Sequence, residues 1–346
     1  MNHLERFYAT IERKPVDRPC AWLGLPTPAA HQNLFSYFGV NSINELIIKL
    51  DDDIVPVELP YHSPVSDAIY SAFDFAKEGI CDDEHRTLST PGFFEDITDM
   101  DRIEDFDWPE PARYIDPAQC RGVVENTPPG RAVLAVIWSA HFQDACAAFG
   151  MENALIQMYA APEMFKAVIG KITEFYLQAN EIFYKATDGK LDAVLIGNDF
   201  GSQTGLMLSP DAIRKFVLPG TGQLVEQAKS FGLKVIHHSC GAIRPIIPDL
   251  IDIGVDVIHP IQALAVGMEP QGLKNDFGYK VSFCGGIDVQ QLLINGTCSQ
   301  VYKKVIELKE LFPTGLIISP SHEAILPDIP PKNIKGMLDA IKGIKS

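Results

Sequence analysis

The sequence predicts a (β/α)8 barrel, and three observations carry the prediction. Eight short β-branched runs bounded by Gly, Pro, Asn or Asp occur at 20–25, 54–59, 132–138, 192–197, 234–239, 255–259, 281–285 and 315–319. From the third run onward they alternate with helical stretches, the order that a parallel barrel requires. Polar residues collect just past the C-terminal ends of the runs, and in such a barrel those ends converge on one mouth.

The elements follow in order. A helical pattern at 42–50 separates the first two runs. Residues 60–130 then interrupt the alternation with Pro, Asp and Glu, including Phe94-Glu95-Asp96-Ile97-Thr98-Asp99-Met100-Asp101 and Trp108-Pro109-Glu110-Pro111. This acidic segment is expected to be an excursion between strands two and three, packed across or beside the barrel, with 1–346 as a single domain. Helical periodicity returns at 142–159, 162–187, 210–231, 243–253, 299–312 and 332–343, with a short turn near 288–294. Ser209-Pro210 supplies an N-cap followed by proline at the first helical position, and Pro162 and Pro331 sit where proline is tolerated.

With 46% hydrophobic and 21% charged residues the chain can build a substantial core. A formal net charge of −16 argues against nucleic acid or an anionic membrane as the main partner. No apolar stretch reaches the length of a membrane span, and Met1-Asn2-His3-Leu4-Glu5-Arg6 is not a secretory signal, so a cytoplasmic protein is expected. The seven cysteines are odd in number and scattered, unlike a disulfide framework.

The most informative stretch is Val235-Ile236-His237-His238-Ser239-Cys240-Gly241. Alternate residues of an extended chain share a face, so His238 and Cys240 project together, about 6.6 Å apart. Imidazole with thiolate suits zinc, whereas the bland alternative is a strand-end histidine beside a packing cysteine. His237 points the other way and receives no ligand role. The remaining strand ends add Glu58 and His62, then Trp138, Ser139 and His141, then Asn198, Asp199 and Gln203. Later ends add His259 and Gln262, Cys284 and Asp288, and Ser321 and His322. Asp199 is the leading catalytic candidate, placed to orient a substrate or exchange a proton with it; the alternative is an Asx turn. Glu58, His141, Asn198 and Gln203 are expected substrate contacts.

Taken together, these motifs resemble the superfamily of uroporphyrinogen decarboxylase and the zinc-dependent corrinoid methyltransferases. The resemblance runs from Arg13-Lys14-Pro15-Val16-Asp17-Arg18-Pro19 through Gly197-Asn198-Asp199-Phe200-Gly201-Ser202-Gln203 and His238-Ser239-Cys240-Gly241. It continues to Gly285-Gly286-Ile287-Asp288 and Ser319-Pro320-Ser321-His322, and it implies a barrel with its cavity at the C-terminal mouth. The methyltransferase branch carries a zinc motif of His-x-Cys followed by a distant Cys. His238 and Cys240 match its first two positions and His322 occupies the third, so a zinc held by His238, Cys240 and His322 is implied, with Cys284 in reserve. The decarboxylase branch must clamp many carboxylates, yet no arginine lies between Arg18 and Arg86.

The resemblance therefore implies methyl transfer between a small methylated substrate or thiol and a corrinoid. Two imidazoles and one thiolate would leave zinc at about +1, which favours demethylation of a donor. Corrinoid carriers present Asp-x-His-x-x-Gly; Asp83-Glu84-His85-Arg86-Thr87-Leu88 lacks the glycine, so the corrinoid is expected on a separate carrier protein. Uroporphyrinogen decarboxylation is the second reading. A non-catalytic barrel binding a small or tetrapyrrole-like ligand is the third.

Overall fold

The computed structural model describes residues 1–76 and 87–344; the Asp83 to Arg86 stretch lies outside them. Eight parallel strands form a nearly closed barrel: β1 Cys20–Ala21, β2 Ile54–Glu58, β3 Ala132–Trp138, β4 Ala193–Gly197, β5 Lys234–His238, β6 Val257–Ile261, β7 Ser282–Ile287 and β8 Leu316–Pro320. Their hydrogen-bonded order is β1, β8, β7, β6, β5, β4, β3, β2. Each run expected from the sequence overlaps one of these strands.

Between β1 and β2 the seam is stitched mainly by side chains. The Ala21 and Leu23 N–H groups donate to Asp53 Oδ2 at 2.8 Å and Asp52 Oδ2 at 2.7 Å. Arg6 Nη1 and Arg18 Nη1 each lie 2.7 Å from the Asp53 carboxylate, and Arg6 also grips Asp17. The Asp17-Arg18 part of the N-terminal motif thus ties down the bottom of the barrel, away from the mouth.

Alternation along the strands separates two layers. Leu134, Val136, Leu195, Ile236, Val257, Cys284 and Ile317 cluster with Trp22 and with Phe7 and Ile11 of the helix His3–Ile11. Val133, Ala135 and Ile137 instead join the larger core between sheet and helices. Burying each large side chain stabilises the fold by roughly 1.5–3 kcal/mol.

Several boundaries differ from expectation for local reasons. The first run splits at Gly24, whose φ of +92° turns the chain so that Leu25–Pro26 pairs with Ala324–Ile325 in a separate two-stranded sheet. The stretch at 142–159 is two helices, His141–Phe149 and Met151–Ala160, broken at Gly150 with φ +80°. The 210–231 pattern holds a π turn, Ile213–Val217, just ahead of Pro219, whose ring cannot donate and clashes with a preceding carbonyl. Helices His3–Ile11, Pro28–Phe38, Pro117–Glu125 and Pro270–Phe277 come in addition to those expected from the sequence. The long helix Pro162–Thr187 matches its expected range.

The excursion after β2 packs beside the barrel through aromatic contacts. Phe73 meets Phe175 of the long helix at 4.7 Å, and Phe75, Phe106 and Trp108 pack with centroid distances of 4.8 Å along the chain of contacts. Among the described residues no helix is long and apolar enough to cross a membrane.

Candidate metal centre at the barrel mouth

Close approach of β4 to β5 requires Gly197: a Cβ there would stand 2.2 Å from the His238 carbonyl oxygen. That contact sets Asn198 and Asp199 beside the end of β5. His238 Nε2 then lies 3.5 Å from Cys240 Sγ and 3.3 Å from Asp199 Oδ1. The donor atoms of Asp199, His238 and Cys240 all fall within 4.8 Å of one another. Asp199 Oδ1 also accepts the Cys240 N–H at 2.8 Å, so one carboxylate fixes the loop and faces the imidazole.

Gln262, at the end of β6, holds the sulfur from the other side. Its Nε2 donates to Cys240 Sγ at 3.2 Å and its Oε1 accepts the Gly241 N–H at 2.8 Å. Gln203 is exposed and donates to the same Oε1 at 3.3 Å, which places it behind Gln262 rather than in the cavity.

Beneath this group lies a second, fully buried one. His238 Nδ1 faces His259 Nδ1 at 2.9 Å and Glu323 Oε2 at 3.3 Å. Glu323 was not singled out by the sequence. Its position depends on the small sheet: Leu25 N–H donates to the Glu323 carbonyl at 2.6 Å, and any Cβ on Gly24 would stand 2.4 Å from that oxygen.

His322 faces the donors from across the mouth, near enough to Cys240 for the two groups to shift each other's ionisation. Its ring centroid is 6.0 Å from that of His238, at 83°. Its Nδ1 accepts the Ala324 N–H at 3.1 Å, so a neutral ring carries its hydrogen on Nε2.

These contacts reshape the acid–base properties. Burial alone would raise Asp199, but the hydrogen bond and charge of His238, the Cys240 N–H and the charge of His322 together outweigh it and hold the carboxyl at about 2. Burial would lower His238, yet Glu323, Asp199 and Cys240 raise it well above the usual imidazole range. Burial works against ionising Cys240, and its hydrogen bonds to His238 and His322 bring the thiol down. The bond to Cys240 raises His322, while burial lowers His259. An ionised carboxylate, a thiol inclined to ionise and an imidazole sharing one locus form a donor set that fits zinc.

Above the donors opens a cavity of about 300 Å³ lined by Tyr70, Trp138, Ala140, Gln143, Gly197, Asn198, Asp199, His238, His322 and Glu323. Trp138 and Ser139 both take left-handed backbone, φ +66° and +51°, which turns the Trp138 ring perpendicular to His238 at 5.4 Å.

Other expected contacts lie elsewhere. His141 is completely buried; its Nε2 donates to the Val217 carbonyl at 3.1 Å and its Nδ1 faces the Asn198 amide at 3.4 Å. Asn198 reaches the lining, but its Oδ1 is committed to the Phe142 N–H at 2.8 Å. Glu58 is exposed and outside the lining. Cys284 is fully buried against Ser319 Oγ at 3.2 Å, and burial pushes its thiol up to about 12, as befits a packing residue.

A family model described as uroporphyrinogen decarboxylase (URO-D) matches residues 83–344, well over half of the chain. The chain belongs to the uroporphyrinogen decarboxylase family. It is 28% identical over 158 residues to a methylated-thiol–coenzyme M methyltransferase of Methanosarcina mazei, covering 46% of this chain and 40% of that one. It is 27% identical over 185 residues to a uroporphyrinogen decarboxylase of Trichlorobacter lovleyi, covering 53% and 50%. The chain thus spans half or less of the length of these curated relatives. A solved methyltransferase from Methanosarcina mazei superposes with a TM-score of 0.69 at 16% identity over 99% of both chains, which establishes the shared fold. The family's named members are enzymes of two kinds, methyltransferases and decarboxylases.

Proposed function

We propose that this chain is a zinc-dependent methyltransferase that moves a methyl group between a small methylated substrate or thiol and a corrinoid carried on a separate protein. The observation that carries the reading is the cluster of Cys240 Sγ, His238 Nε2 and Asp199 Oδ1 on the floor of the cavity. Decarboxylation is the competing reading within the family. Against it, none of the described residues lining the cavity is Lys or Arg, while two carry carboxyl groups. Among the described residues a porphyrinogen bearing many carboxylates finds no cationic clamp.

His238 and Cys240 would hold the metal. The sequence placed His322 third. Asp199 suits that position better, because its carboxylate already stands 3.3 Å from His238 Nε2 whereas the His322 Nδ1 is taken by Ala324. When bound, zinc would supply Lewis-acid polarisation of a substrate heteroatom. A thiolate and a carboxylate neutralise the metal's charge, so the +1 argument for demethylation no longer selects a direction. Within the chain, Gln262 orients the sulfur, His322 closes the substrate side, and Trp138 shields the donors from water.

Two assays test the reading together. Purified protein should contain about one zinc per chain, the ratio expected of a mononuclear site. It should also transfer a methyl group between methylcobalamin and a small thiol, or from a methylated donor to cob(I)alamin. Absence of zinc, or turnover of a porphyrinogen with release of carbon dioxide, would replace it with the decarboxylase reading.

A further inference from the structure

We infer that the His238 ring serves two metal positions: the zinc position beside Cys240 and Asp199 proposed above, on which this inference rests, and a second, deeper one formed by His238 Nδ1, His259 Nδ1 and Glu323 Oε2. The occupant of the deeper position is a divalent ion that takes imidazole nitrogen and carboxylate oxygen, of the class of zinc or cobalt(II). Among the described residues two groups of side chains bring potential metal donors together, and His238 belongs to both.

The sheet builds the deeper group. Strands β5 and β6 pair in parallel with His238 opposite His259, so the two rings leave neighbouring strands at one level. Glu323 is brought to them from beyond β8 by the bond between its carbonyl and the Leu25 N–H. The two Nδ1 atoms stand 2.9 Å apart, and Glu323 Oε2 lies 3.3 Å from His238 Nδ1. Donors held at about 2.0–2.1 Å around a tetrahedral zinc are separated by roughly 3.3 Å, so an ion asks the rings to part by only a few tenths of an ångström. His238, His259 and Glu323 are all buried, yet His238 and Glu323 also line the cavity, which gives an ion its way in. The separation of the rings equally suits one hydrogen held between them. An incoming ion displaces that proton to solvent, so the deeper position fills after the upper one and needs metal in excess.

The full chain, stripped of zinc by chelation and titrated with cobalt(II), tests this without reference to turnover. The first equivalent should bring thiolate-to-cobalt charge transfer from Cys240. The second should add ligand-field absorption with no further charge transfer, and the paramagnetic resonance of the first ion should weaken as the two couple through the shared ring. Glu323→Gln should keep the first ion and its charge-transfer band, which also shows that the variant is folded, and lose the second. Should that variant not fold, Cys240→Ala reads the same position from the other side: it should lose the charge-transfer band and still take one ion at excess cobalt. A chain that shows the band but takes no second ion overturns this inference alone, as does a second ion that survives in Glu323→Gln or leaves the first ion's resonance unchanged. A chain that shows no thiolate charge transfer at any cobalt concentration overturns the zinc position proposed above and the shared ring with it.

Discussion

His238 Nδ1 and His259 Nδ1 face each other at 2.9 Å, so one ring must donate and the other accept. Burial lowers His259 well below the usual imidazole range and keeps it neutral. His259 is therefore the acceptor, with its own hydrogen on Nε2, which is buried without a hydrogen-bond partner. The donated hydrogen then sits on His238 Nδ1, and Nε2 is the nitrogen that, on giving up its proton, would offer a lone pair to a metal beside Cys240 and Asp199. Outer partners of this kind fix the tautomer and aim of a metal-binding imidazole.

From this pairing comes the first prediction. His259→Phe keeps the ring's bulk but removes the acceptor, and zinc affinity should fall about tenfold or more. His259→Gln, which restores an acceptor oxygen, should recover part of the loss. Competition with a calibrated chelator reads both; equal affinity in wild type and His259→Phe would show that His238 is aimed by something else.

The two cysteines at strand ends should separate cleanly. Cys240→Ala removes the only sulfur in the donor group and should strip the metal together with any methyl transfer. Cys284→Ala should keep its zinc and cost only about 1 kcal/mol through the small void left beside Ser319. Zinc content and urea denaturation of both variants decide it, and loss of metal from Cys284→Ala would bring β7 into the ligand set.

Porphyrinogen turnover offers a third check. With no Lys or Arg among the described lining residues, incubation with an acetate-bearing porphyrinogen should release no carbon dioxide above background. Steady release would mean that cationic groups outside the lining reach the substrate.

Much of this site was legible in the sequence because a barrel gives strand ends a common address. The pairing of His238 with Cys240 was expected from the two-residue period of a strand, but the strand ends at His238 and the loop, held by Asp199 and Gln262, brings Cys240 to it; Asp199 needed only the end of β4. What escaped detection depends on contacts between distant segments. Glu323 matters because Gly24 and Leu25 seize its backbone, and nothing near position 323 announces a partner almost three hundred residues earlier. Gln262 was seen at its strand end, but its two-sided grip on Cys240 and Gly241 follows from the approach of two loops. His141, expected at the substrate, sits in the wall for the converse reason. The π turn Ile213–Val217 brings the Val217 carbonyl onto its ring from a distant segment.

The last prediction concerns stability and lies away from the mouth. Asp144 is half-buried with its carboxyl group accepting the Tyr176 hydroxyl at 2.6 Å, and loss of solvation pushes its carboxyl up to about 7, only partly offset by that bond. Because the folded state holds this proton more tightly than the unfolded chain does, the sign is opposite to that of an ion-paired aspartate. There is no penalty while both states are protonated, below about pH 4. The penalty grows as pH rises toward 7 and then levels off, at roughly 4 kcal/mol for a shift of this order. Asp144→Asn keeps an acceptor for Tyr176 and cannot ionise, so its stability relative to wild type should improve steadily between about pH 4 and about pH 7 and stay constant above. Urea denaturation of the pair at several pH values measures that difference directly. A difference that stays flat across the window would mean that Asp144 remains ionised in the fold, with water or a neighbouring group stabilising its charge.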